Sequence, residues 1–115
     1  MALSEAYTVT GSSWGTETSL TSGTTTIQSR TIPGVYQLFV DVANLTSGDV
    51  YVVRLYERVR STDSQRVVAS WTLTGGLGEP VFATPGFHLR NGWDFTLQRT
   101  AGTDKTITAS VRAVT

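Results

Sequence analysis

The sequence contains no cysteine. That excludes disulfides, thiolate metal centres and thiol nucleophiles, and it suits assembly in a reducing cytoplasm. There is one histidine, His88, so any Ser-His-Asp relay would have to use it, and no G-x-S-x-G elbow is present. His88 reads as a surface residue between two inward neighbours, Phe87 and Leu89. The nine acids are scattered and show no metal-ligand spacing. No apolar run approaches the ~20 residues of a membrane span. The opening MALSEAYTVT lacks the basic and apolar regions of a secretory signal. Nor is there a charge excess: nine bases balance nine acids, which argues against a nucleic-acid binder working through bulk charge. These absences leave no expected catalytic residues, cofactor, metal, membrane or nucleic-acid partner.

What is present points to strands. Threonine is the commonest residue and valine is plentiful, both β-branched. Apolar residues alternate with period two, and no window keeps a helical spacing. Short strands are expected at 6–10, 14–20 and 24–28, then longer ones at 35–42, 49–60, 65–74, 92–100 and 105–114. Short extended pieces near 81–82 and 87–89 lie between Pro80, Pro85 and the Gly75–Gly78 turn. The expected core includes Tyr36, Leu38, Val40, Val53, Leu55, Trp71, Phe95 and Val111. The chain is therefore expected to be all-β, a single-domain antiparallel β-sandwich, Ig-like or jelly-roll-like. Residues 1–30 read as a Thr/Ser-rich N-terminal arm with short strands, and residues 31–115 as the sandwich body. The stretch NGWDFTLQRTAGTDKT reads as a β-hairpin turning at Ala101–Asp104, with Gly102 at positive φ.

Two side-chain groupings stand out. Arg54, Tyr56, Arg58 and Arg60 fall on one face of the 49–60 strand, with Arg66 available beside them. Such a face suits an acidic partner surface or a polyanion, although a solvated outer face accounts for it as well. Eight of the nine basic residues are Arg, which favours interface use over plain solubilisation. Glu57 and Arg99 both fall on inward sets, which makes a buried Glu57–Arg99 pair the expected arrangement.

The segments Gly34–Gln37, Gly48-Asp49, Tyr56–Val59, Trp93–Leu97 and Thr100–Asp104 carry a family resemblance, extending over residues 14 to 114. The chain resembles a family of small all-β virion structural proteins of tailed bacteriophages. Where relatives often place Trp or another large residue, this chain has Thr108-Ala109-Ser110. The resemblance implies a non-enzymatic capsid decoration (cement) protein on the outer surface of the virion, assembled in the bacterial host cytoplasm. Its implied partners are the major capsid protein and copies of itself, as a trimer or other homo-oligomer. Tyr7 and Trp14 are then candidate anchors, with Trp14 serving equally well as a core residue. The alternative is a head- or tail-fibre module that binds host-surface carbohydrate or receptor.

Overall fold

The computed structural model describes residues 3–76 and 79–114; Leu77 and Gly78 of the expected Gly75–Gly78 turn lie outside the described residues. Nine strands follow in order: β1 (Leu3–Gly11), β2 (Thr18–Ser19), β3 (Gly34–Asp41), β4 (Val50–Glu57), β5 (Arg66–Thr74), β6 (Val81–Ala83), β7 (Phe87–Leu89), β8 (Asp94–Ala101) and β9 (Ile107–Val114). The chain is all-β, as expected. The strands pair antiparallel in two sheets, one ordered β1-β9-β3-β6 with β7 also on β3, the other β2-β8-β4-β5.

Period-two alternation explains which faces turn inward. In β9, Ile107, Ala109, Val111 and Ala113 are buried while Thr108 and Arg112 are exposed. In β4, Tyr51, Val53 and Leu55 enter the core, and in β3 Tyr36, Leu38 and Val40 do. Of the eight expected core residues only Trp71 departs, being half-buried. It belongs to β5, which has a neighbour on one side only.

Strands β6 and β7 lie end to end along β3, with Phe39 opposite Ala83 and Tyr36 opposite Phe87. Pro85 has no N–H to give the ladder. The adjacent Thr84 compensates: its amide bonds the Leu38 carbonyl at 2.9 Å, and its hydroxyl accepts the Leu38 N–H at 3.0 Å. Counted as one broken strand, β6–β7 completes a ribbon in which β1 pairs β9, β2 pairs β8, β3 pairs β6–β7 and β4 pairs β5. A long antiparallel ribbon folded over in this way is a jelly roll.

The ribbon corrects the hairpin expectation. β8 and β9 belong to different sheets, so residues 102–106 cross between layers rather than turning back within one. Sheets pack about 10 Å apart, a gap that five residues span easily. Gly102 does take positive φ (83°), and a side chain there would collide with Asp49 and Gly48.

The expected N-terminal arm is also corrected. β1 runs along β9 over its whole length, and Trp14 and Leu20 are fully buried in the common core. Residues 18–30 lie along the β8 edge, with Leu20 N–H on the Phe95 carbonyl (2.7 Å) and Arg30 bridged to Trp93. Asp94 and Thr96 of β8 are consequently buried although they point away from the core. Tertiary cover decided their burial, where alternation alone implies exposure.

Candidate interaction surfaces

Arg54 is half-buried, 3.3 Å from the Glu17 carboxylate, and donates to Gln98 at 3.0 Å. Tyr56 donates its hydroxyl to the same Glu17 oxygen at 2.6 Å, and Thr96 donates its own at 2.5 Å. Burial pushes Glu17 up, but the two hydroxyls and the Arg54 charge outweigh it and hold the carboxyl below its ordinary value. Burial and the bond to Glu17 push Tyr56 up to about 12. Glu17 comes from the segment read as an N-terminal arm, and it pairs with Arg54 of the face expected to dock.

The remaining expected site residues are dispersed. Arg60 is exposed and held by Asp63 at 3.0 Å. Arg58 follows the end of β4 and makes no side-chain ion pair or hydrogen bond among the described residues. Tyr7 packs edge-on to Trp93 at 6.0 Å and carries the Arg30 guanidinium 4.8 Å over its ring. Trp14 donates its indole N–H to the Lys105 carbonyl at 2.9 Å from inside the core. The structure thus does not bring the six residues Tyr7, Trp14, Arg54, Tyr56, Arg58 and Arg60 together as one surface.

The expected Glu57–Arg99 pair does not form either. The register sets Arg99 opposite Tyr51, whereas Glu57 lies six residues further along β4. At ~3.3 Å per residue that separates them by roughly 20 Å. Arg99 instead binds Asp104 at 2.7 Å, and Glu57 accepts the amides of Arg90 (2.6 Å) and Asn91 (2.9 Å).

The carboxylates form structural joints. The amides of Thr103 and Thr46, with Lys105, hold Asp49 well below the carboxylate range and so tie the β3–β4 loop to the β8–β9 crossing. The Arg99 guanidinium and the Trp14 amide lower Asp104. Burial raises Asp94 despite bonds from the Gln28 amide (2.8 Å) and the Thr21 hydroxyl (2.7 Å). Depressed groups stabilise the fold above their unfolded pKa, and that contribution is lost as pH falls through the folded value. Asp94, being raised, acts oppositely: its contribution is full at low pH and lost as pH rises through its folded value. Three depressed carboxyls oppose one raised, so the thermal midpoint is expected to fall below about pH 4. Melting curves across that range check this, and Asp49→Asn is expected to flatten the dependence.

One surface was missed by pattern reading. On the side away from β1 and β2, the edges of β5 and β6 leave an open groove of about 530 Å³ between the layers. Val42, Trp71, Leu73, Val81 and Phe82 line it, with Glu79 at its rim. Trp71 stands 6.0 Å from Phe82 and 5.9 Å from Phe87. Short β6 is flanked by Pro80 and followed by Pro85, common guards of a sheet edge. β5 has nine residues, no Pro or Gly, and a charge only at Arg66. A bulge at its start leaves Val68 without a partner on β4, and Val67 and Val68 are about half exposed (50% and 54%). The adjacent valines, breaking an otherwise strict alternation, were the available signal.

Among the described residues no three His, Asp or Glu side chains converge as they would around a metal ion. The fold defines a jelly-roll sandwich with an open groove on its β5–β6 side. No protein-family model and no curated protein matches the chain. Among solved structures, a chain described under "Bacillus endospore appendages form a novel family of disulfide-linked pili" is similar, with TM-score 0.50 and 14% identity. The match covers 98% of this chain and 87% of that one, and at such identity it shows a shared fold.

Proposed function

We propose that this protein is a non-enzymatic structural subunit that adds to the outside of an assembled phage head and stabilises it by bridging neighbouring major-capsid subunits. The observation that carries this reading is the unguarded β5 edge beside an aromatic-lined groove. Such an edge offers unpaired backbone groups to an extended segment, while the groove takes alternate side chains. The resemblance to phage virion proteins supports the same reading, and jelly rolls are frequent in viral shells. The carboxylates Glu17, Asp49 and Asp104 are committed to structural bonds, which leaves them poorly placed for acid–base work. A shell repeats its binding site many times, so a modest interface gains avidity wherever one oligomer spans several subunits.

A second reading is the fibre module that binds carbohydrate, favoured by the half-buried Trp71 among Ser70, Thr72 and Thr74 in an open groove. The pilus chain of shared fold is described as disulfide-linked. This chain has no cysteine, so any polymer of it would not be held by disulfides.

The test is to add purified protein to heads lacking it. Saturable binding and greater resistance to heat or osmotic shock are expected. Failure to bind bare heads, with binding to host-surface glycan instead, would favour the fibre module.

A further inference from the structure

We propose that Arg58 and Arg90 form a binding site for a small oxyanion, a carboxylate or phosphate group, at the end of the β4–β5 pair, where Glu57 lies opposite Arg66. The two arginines line one cleft of about 210 Å³ with Thr31, Ser61, Asn91 and Gly92. That is below the ~300 Å³ at which pockets for larger organic ligands begin, and ample for one oxyanion group.

The chain brings these residues together by backbone bonds. The Arg58 amide donates to the Asn91 carbonyl at 2.8 Å, and Glu57 clamps the Arg90 and Asn91 amides from the other side. The Glu57 carboxylate is occupied there and makes no ion pair with either guanidinium.

Most other arginines are already engaged. Arg30 holds Thr21 and Tyr7, Arg54 holds Glu17, Arg60 holds Asp63, Arg99 holds Asp104, and Arg112 lies 3.8 Å over Phe39. Arg58, Arg66 and Arg90 have no such partner among the described residues, and of these only Arg58 and Arg90 share a cleft.

Arg58 carries a further mark. Its Nε is the buried side-chain polar atom that lacks a hydrogen-bond partner among the described residues. Buried donors are normally satisfied, so an unsatisfied one asks for an explanation. The side chain packs against Gly92, where a Cβ would sit 3.2 Å from Nε and 3.4 Å from Cδ. At φ 64° that position favours glycine, and the bare backbone lets the arginine stem lie down and stay fixed. A pre-positioned guanidinium loses less freedom on binding, and its planar fork matches two oxygens of a carboxylate or phosphate. Thr31, Ser61 and Asn91 make the rest of the lining polar, and the Asn91 side-chain amide is held only by the Val59 carbonyl at 3.5 Å.

The test titrates ¹⁵N-labelled protein with inorganic phosphate and, separately, with N-acetylglutamate amide, at ionic strength fixed with chloride. Saturable shifts confined to the amides of residues 57–61 and 90–92 are expected. Arg58→Gln and Arg90→Gln are each expected to weaken saturation about tenfold or more, as loss of a charge-assisted pair does. Arg60→Gln is expected to leave it unchanged. Arg90 is exposed, so its variant keeps the test usable if Arg58→Gln impairs folding. Tighter saturation by phosphate assigns the site to a phosphate group, and by the glutamate compound to an acidic side chain of a partner. Shifts that grow without saturating, or that persist in both variants, overturn the proposal.

Discussion

Replacing Trp14 with Ala is expected to lower the unfolding free energy by about 3–5 kcal/mol, the range for truncating a buried aromatic. Trp14 is 1% exposed. Its indole N–H bonds the Lys105 carbonyl, its amide bonds Asp104, and its carbonyl accepts the Arg99 amide at 2.7 Å. Residue 14 therefore fastens the β1–β2 connection to β8 and to the β8–β9 crossing, by its indole at Lys105 and by its backbone at Arg99 and Asp104. Truncation removes the ring from the core and also takes the indole donor from the half-buried Lys105 carbonyl. A free arm would respond differently, with a nearly unchanged midpoint and lost partner binding. Denaturant unfolding of Trp14→Ala separates the two cases.

That contrast shows where the sequence was legible. Alternation along β3, β4 and β9 identified Leu38, Val53 and Val111 as core because a half-buried strand has few other ways to bury such residues. The pairing of strands was hidden. A run such as Trp93–Leu97 followed by Ile107–Val111 fits a hairpin and an inter-layer crossing equally well, since both present one apolar face. The first thirty residues misled for a related reason: many threonines and serines suggest a solvated segment. Here Ser19 and Thr21 bond each other and Thr21 bonds buried Asp94, so polar side chains are satisfied inside. Glu17 meeting Arg54 depends on that burial and on β2 joining β8, neither of which is written locally.

Changing Val68 to Lys is expected to leave stability within about 0.5 kcal/mol, as for most surface substitutions. Binding to bare heads is expected to fall at least about 100-fold, because a charge buried without a partner in an interface costs several kcal/mol. Val68 is 54% exposed, at the bulge of β5, and makes no core contact that Lys would remove. Lysine is also a common guard on a natural sheet edge. Trp71→Ala is less clean, since Trp71 packs against the core and against Phe82 and Phe87 as well as lining the groove. Equal binding by Val68→Lys and the parent protein would remove β5 from the interface.

The central claim is that the protein is a repeated component of a virion shell. Imaging of intact particles, with this chain fitted into the density, tests it most directly. The account predicts many copies at equivalent lattice positions on the head exterior, each with the β5–β6 side facing capsid subunits. Density for a few copies confined to the neck, tail or fibres, or none on the particle, would contradict it.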